Sequence, residues 1–552
     1  MKKVLKPITL ILVFSLLFLA GCGSTQQPPD EPDTPSPGVD DTDNTQESTE
    51  DSNLNPVGEY PIVKEKVTLK VLIPNDVNHP KDINEIPIVQ RAEEITNVHI
   101  EWIMPGTGFE EKKSLMLATG DLPDFIISGV TEAEQIRYGS EGTLIPLNDL
   151  IDQYAPNLQK VFATDPQVRP YITAPDGNMY STPRINAGPW MRMAGIGAIN
   201  KTWLDNLGLD MPTTLDEFYD VLKAFKTDDP NENGEADEIP MTFNASISVN
   251  FYMGFSYFFS AFGFNPNTNH RDVIDGEVVL TAALPQYKEA IKYINKLYSE
   301  GLLDVEGFTN TIPQWSAKLA AEPLTVGYAT LWDLNDDIAN KNNADQFEYM
   351  PPLKNDGYTF VANNSLLPGY DRSGAVITKA CEEPEVAIRY IDYIYETNNS
   401  LEWIEGEIGE RLIEQPEGYY VIADPPEGMT AQQYRAASTP GGSACWAVFE
   451  DTYRNVLRLT YTDRKVQFMD DYILEHFDED PCPPLFYSQE EADAINQLNV
   501  DMMAYIERKS SEWIMNGTID EEWDSYLNEL DKMGLQEWLK VNNEAYQRYI
   551  NQ

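Results

Sequence analysis

Histidine and cysteine are scarce, four of each in 552 residues, and basic side chains are outnumbered, 39 Lys and Arg against 90 Asp and Glu. The histidines at 79, 99, 270 and 476 are too scattered to offer a helix-borne metal site for catalysis. Four cysteines make no disulfide framework for a chain this long. The formal net charge of −51 opposes nucleic acid as a partner, and it opposes docking of the body itself on an anionic membrane. It does not bear on a small ligand. No hydrolase elbow of the form Gly-x-Ser-x-Gly occurs, and no run beyond residue 19 is long and apolar enough to span a bilayer.

What is present starts at the first residues. Lys2 and Lys3 precede an apolar run from Ile8 to Leu19, then Leu19-Ala20-Gly21-Cys22, then a polar acidic tract. A basic head and a short apolar segment predict a secretion signal over 1–21, and small residues before a cysteine resemble the lipobox of bacterial lipoproteins. That resemblance implies a mature chain beginning at Cys22, lipidated there and held on the outer face of the cell membrane by two or more acyl chains. Residues 22–62 are nearly all Pro, Asp, Glu, Ser, Thr, Gln, Asn and Gly, so they cannot offset their ordering entropy and are expected as a disordered tether. Stretched, roughly 40 residues at about 3 Å each reach on the order of 100 Å.

The remainder is too long for one compact domain, which predicts two lobes. With Cys22 set aside, Cys381, Cys445 and Cys482 leave room for one disulfide at most. Val67, Leu69, Val71 and Ile73 alternate as in a strand, followed by a helix near 87–95, a strand at 98–104, a helix near 110–118 and a strand at 124–128. This βαβ spacing predicts an α/β layer with parallel strands. Ligands sit beyond the carboxyl ends of such strands, which singles out Ser128, Gly129 and the loop around Glu132, with plain loop filler as the other reading.

Thr214 and Glu217 predict a capping box, opening a helix with a buried stripe of Leu215, Phe218, Leu222 and Phe225. Directly after it, Asp229, Asn231, Asn233 and Asp237 stand at positions one, three, five and nine around Gly234 at position six. That spacing suits a hard cation such as calcium in a structural role. Position twelve is Pro240 where an EF-hand has glutamate, and Glu238 at position ten is the available substitute. An acidic surface turn without metal fits the same spacing.

Asp176 to Arg184, Asn200 to Leu209 and Met211 to Phe218 resemble the extracellular solute-binding proteins of family 1, the substrate-capturing lipoproteins of ABC importers. The likeness includes Thr119-Gly120-Asp121-Leu122-Pro123-Asp124 and the closing helices around Trp523, Gly534 and Tyr549. It points to the lipoprotein-A-like oligosaccharide binders of Gram-positive bacteria and the alginate-binding proteins. The latter carry a shortened calcium loop, which implies Asp229, Asn231, Asn233, the Glu235 carbonyl, Asp237 and Glu238 as ligands. The resemblance further implies a two-lobed, type II periplasmic-binding-protein-like α/β fold with a hinge and lobes discontinuous in sequence. The expected division is 63–185 with about 370–440, and 186–369 with about 441–552.

A sugar offers C–H faces to aromatic rings and a hydroxyl rim to planar polar side chains. Trp190 stands near Tyr180, Arg184 and Arg192 in the expected crossover; Trp332, next to Asp333, falls where the maltose-binding relatives place a stacking tryptophan; Trp446 follows Gly441-Gly442. Each tryptophan also reads as core, and the two arginines also read as partners of surplus carboxylates. Trp203, Trp403, Trp513, Trp523 and Trp538 lie in helical patterns and read as core.

The resulting expectation is a monomeric, lipid-anchored receptor on the cell surface that closes on an oligosaccharide and hands it to membrane permeases without chemistry. A peptide or lipid binder of the same fold, a surface glycoside hydrolase, and a calcium-stabilised sensor or adhesin are the rival readings. With ninety acidic residues a hydrolase carboxylate pair can be found anywhere, so such a pair carries no weight.

Overall fold

The computed structural model describes residues 52–551 except 76–78, 80–81, 363–366, 441–444 and 479–480. The signal segment, Cys22 and the tether as far as residue 51 lie outside the described residues, as does the Gly441-Gly442 loop. Among the described residues no helix is long and apolar enough to cross a membrane.

Strands and helices alternate at the start of the fold as the spacing predicts. β1 (Val67–Leu72) runs parallel to β2 (Val98–Ile103) on one side and to β3 (Phe125–Ile127) on the other. The helices between them, Pro87–Thr96 and Phe109–Thr119, end on left-handed residues, Asn97 and Gly120, whose N–H groups return to the last turn. A second sheet is built on β4 (Ile196–Asn200), flanked antiparallel by β5 (Tyr328–Leu331) and β6 (Phe347–Tyr349). The chain then returns to the first sheet, where β7 (Ala375–Ile377) adds an antiparallel edge to β3.

The first sheet packs on both faces at its centre, where β3 is apolar throughout, while β1 and β2 alternate and leave Thr68, Lys70 and Glu101 exposed. Leu69, Val71, Phe125 and Ile127 face one hydrophobic cluster, while Leu72, Ile126 and Val376 face a smaller one with Phe109, Met116 and Tyr180. The second sheet belongs to a separate large cluster, which also holds the stripe Leu215, Phe218, Leu222 and Phe225 of helix Leu215–Thr227. Thr214 caps that helix by accepting from the Glu217 N–H, but the Glu217 carboxylate reaches Thr213 instead of closing a box on Thr214.

The chain passes between the two large clusters between Trp190 and Met193, between Ala362 and Leu367, and between Leu459 and Phe468. Two segments lie elsewhere than sequence suggested. Residues 53–62, expected in the tether, are folded: Leu54 bridges Val63, Ile62 is buried, and Arg389 donates to the carbonyls of Asn55, Pro56 and Glu59. A composition poor in apolar groups is held here by a guanidinium satisfying three backbone acceptors. Residues 445–459, expected with the second lobe, pack in the first cluster, because the strand Ala447–Val448 pairs with the strand Arg184–Asn186.

Candidate ligand groove and metal loop

Three cavities meet along the boundary of the two lobes, about 460, 250 and 360 Å³. The first is walled by Asp165, Tyr370, Phe449 and Arg192; the second by Arg192, Asn267, Asn269, Arg271 and Pro483; the third by Asn269, Arg271, Thr131, Glu132, Tyr487 and Trp538. Arg192 is common to the first two, and Asn269 and Arg271 to the last two. Sharing these walls, the three lie side by side and are treated as one groove, lined by rings, amides, guanidinium groups and carboxylates.

Local sequence explains each wall. Helix α1 (Glu132–Ser140) leaves the end of β3 through a full capping box: Thr131 accepts from the Glu134 N–H and the Glu134 carboxylate accepts from the Thr131 N–H. Arg271 opens a hairpin, Arg271–Ile274 with Glu277–Leu280, whose Asp275-Gly276 turn has positive φ at both residues, 55° and 79°. Its backbone is bracketed by Asn267, which accepts from the Arg271 N–H at 3.2 Å and donates to the Arg271 carbonyl. Behind the wall residues Glu132 and Pro484, Arg372 is buried between the rings of Tyr171 and Phe486, 4.1 and 4.6 Å away, and bonds Glu132, the Pro484 carbonyl and the Tyr171 carbonyl at 2.6 Å each. One planar cation thus ties the first sheet to the strap entering helix Gln489–Asn516.

The residues singled out from sequence disperse. Of the ligand-binding residues named there Arg192 alone lines the groove, joined by the loop around Glu132, and Arg192 also binds Glu450 through Nε (2.9 Å) and Nη2 (2.5 Å). Trp190, 8% exposed and 4.7 Å edge-on to Tyr453, lines a separate cavity of about 890 Å³ with Tyr419, Arg454 and Phe468. Arg184 pairs with Asp371. Trp446 is a correction: at 2% exposure it fills the first core beside the Ala447–Val448 strand and has no face to offer a ligand. Tyr180 is another, buried in the small cluster with its hydroxyl donating to Asp176 at 2.7 Å. Gly129 is closed off by the Phe109 ring, 2.4 Å from where a Cβ would stand, and its carbonyl accepts from buried Lys113. Ser128, at φ 63°, is spent on the same turn, its N–H donating to the Gly374 carbonyl. The loop around Glu132 does reach the groove.

Trp332 stands on the second-lobe strand's exit yet packs against the first lobe's cluster. Tyr252 meets its ring edge-on at 6.0 Å, and the Lys465 ammonium lies 4.3 Å over it while bonding its carbonyl at 2.6 Å. Burial pulls the Lys465 pKa down to about 8, against the nearby carboxylates of Asp333, Asp337 and Asp336. Burial likewise lifts Asp337 to about 6, although it accepts from the Trp332 and Asp333 N–H groups. Asp333 is a correction: it is 1% exposed, caps the turn Leu334–Asp337 and accepts from the Tyr349 hydroxyl, so its carboxylate faces the interior.

In the 229–238 loop Asp229 and Glu232 adopt left-handed backbone and Gly234 has φ 80°. Asp229 accepts from the N–H groups of Asn233 and Gly234, and the Asn231 and Asn233 amides donate to Asp237. Among the described residues no three His, Cys, Asp or Glu side chains are gathered as a ready metal cluster. The residues nevertheless fit a cation. Glu238 Oε1 is buried without a partner, the only carboxylate oxygen so left among the described residues, and burial raises the Glu238 pKa, with Asp237 and Asp229 adding to it. Turning the two amides would present oxygen where nitrogen now faces Asp237. Cys381 and Cys445 form no disulfide among the described residues, and burial pushes their thiols up to about 12.

The groove wall at Asn267–Arg271 with Tyr487 was missed in sequence. Its one local signal is the Asp275-Gly276 hairpin turn behind it.

A two-lobed α/β body with several passages between lobes and a groove along their boundary defines the architecture of periplasmic binding proteins. A model of the bacterial extracellular solute-binding proteins matches residues 85–399. The chain is 33% identical to the fructooligosaccharide ABC transporter substrate-binding protein FusA of Streptococcus pneumoniae, over 99% of this chain and 98% of that protein. Solved structures of FusA with kestose and of a FusA EF-hand mutant with fructo-nystose each superpose with TM-score 0.74, at 33% and 32% identity, covering 88% of this chain and 99% of theirs. The chain belongs to the bacterial extracellular solute-binding protein family.

Proposed function

We propose that this protein is the substrate-binding component of an ABC importer, capturing an oligosaccharide in the interlobe groove and presenting it to membrane permeases. The observation that carries this is the groove itself: three cavities that share Arg192, Asn269 and Arg271 as walls bring rings, amides and guanidinium groups together at the lobe boundary, the groups that a sugar's faces and rim call for. The resemblance of the whole chain to a fructooligosaccharide-binding protein supports the ligand class. The protein acts by binding and release, not by chemistry. Trp332, expected from sequence as a stacking residue, walls none of the three cavities and packs against the first cluster under Lys465, so its proposed role is to support the lobe boundary.

Calorimetric titration with fructo-oligosaccharides and with galacturonan oligomers tests it, with chromatography of the sugar afterwards. Saturable binding with intact sugar is expected. Cleaved sugar, or binding only of peptides, sinks the reading.

Calcium is proposed as a structural ion held by Asp229, Asn231, Asn233, the Glu235 carbonyl, Asp237 and Glu238, supported by the partnerless Glu238 oxygen and by the EF-hand named in the FusA mutant. The ion would neutralise carboxylates that otherwise repel one another. Chelator is expected to lower the melting temperature, and Glu238→Gln to abolish that response; a chelator-insensitive wild type argues for a metal-free turn. The anchor at Cys22 on the outer face of the membrane belongs to the same proposal.

A further inference from the structure

Arg271 is anomalous among the arginines of a chain this acidic. Every other arginine but one faces a carboxylate in an ion pair, and the exception, Arg389, is spent on three backbone carbonyls. Arg271 makes no ion pair among the described residues. Its Nη1 donates to two neutral groups, the Tyr487 hydroxyl and the Asn542 side-chain amide oxygen Oδ1 at 3.3 Å, which are themselves joined by a 2.6 Å bond from the hydroxyl to Oδ1. Nε and Nη2 bond to no described residue. They form the side-on edge of the guanidinium, two parallel N–H donors suited to two adjacent oxygens.

The placement of that edge is equally specific. Arg271 walls both the second and the third cavity, so it stands at the joint of the groove. Asn267 holds its backbone, and the hairpin behind it fixes the direction of the strand. A guanidinium edge shut into a closing cleft without acceptors is destabilising, so whatever occupies the joint must supply them. Tyr487 comes from the strap before the long helix and Asn542 from the last helix, so the tip is fixed independently of its own hairpin.

We infer that Arg271 is the residue by which the groove selects its ligand, gripping a side-by-side pair of sugar oxygens with its Nε–Nη2 edge. Those oxygens belong either to the carboxylate of an acidic sugar or to two neighbouring hydroxyls of a neutral one. The inference rests on the groove being the oligosaccharide site.

The test is calorimetric titration of kestose and of a galacturonic acid trimer into the wild type, Arg271→Lys, Arg271→Gln and Ala133→Trp. The last narrows the third cavity with Arg271 retained. Melting temperatures of the unliganded variants are measured alongside. Loss of the fork is expected to weaken binding about 10- to 100-fold while the unliganded melting temperatures stay close to wild type. If the oxygens are a carboxylate, Lys retains part of the affinity and that part falls with salt; if they are hydroxyls, Lys and Gln lose alike and salt matters little. Unchanged affinity in both Arg271 variants, with weakened binding in Ala133→Trp, overturns the inference and leaves the groove standing. Unchanged affinity in all three variants, or no binding of either sugar by the wild type, overturns the groove reading and this inference with it.

Discussion

Trp446 and Trp332 look alike in sequence, each at the edge of a loop beside small or acidic residues, and the fold treats them oppositely. Trp446 is 2% exposed inside the first lobe's core, where a short strand pairs with the crossover. Trp332 is half-buried, stands on the second lobe and leans on the first, with a buried ammonium over one face. The difference teaches that a ring's role is set by which surfaces converge on it. Its flanking residues do not decide that.

The comparison breaks most visibly under truncation. Trp446→Ala is expected to cost about 3–5 kcal/mol of stability by leaving a large cavity, with sugar affinity unchanged at temperatures where the variant is folded. Denaturant unfolding and calorimetry read the two effects separately. A variant that stays as stable as the wild type would remove Trp446 from the core. Trp332→Ala is expected to lose less, on the order of 1–2 kcal/mol from the cation–π and edge contacts. A stability loss matching that of Trp446→Ala would make the two tryptophans the same kind of residue.

A smaller effect sharpens the contrast, because only Trp332 rests on titrating groups. Asp337 has its folded pKa raised to about 6, so it contributes stability that is complete below the unfolded carboxylate pKa and is lost as pH rises through 6. Lys465 has its folded pKa depressed to about 8, so its burial penalty is present below that pH and is relieved only on going higher. Between these values both groups are charged and face each other. The melting temperature is therefore expected to fall by a few degrees between pH 4.5 and 7, and Asp337→Asn is expected to flatten that slope. An unaltered slope in the variant would assign the pH dependence to other buried carboxylates such as Asp272 and Asp392, which burial lifts to about 7 and 6.

Much of the first lobe was legible. The alternation of Val67, Leu69, Val71 and Ile73, the apolar run ending at Ile127 and the helices between them follow from periodicity, because each depends on neighbours a few residues away. The stripe Leu215, Phe218, Leu222 and Phe225 was legible for the same reason. The groove was not. Thr131, Arg192, Arg271 and Tyr487 reach one cleft from widely separated stretches of chain, and nothing local to any of them announces the others. The tether's end at residue 53 was hidden because its order depends on Arg389, far along the sequence.

Local order along the chain determined the α/β alternation, the spacing of the cation loop and the acidity that leaves small ligands as partners, since these are properties of short windows and of composition. Only the tertiary structure decided which tryptophan is core, which arginine is left with an unspent edge, and where the two lobes leave a gap. Burial and charge pairing are summed over groups that meet only in three dimensions, and in a chain with ninety acids every arginine has a possible partner until the fold withholds one.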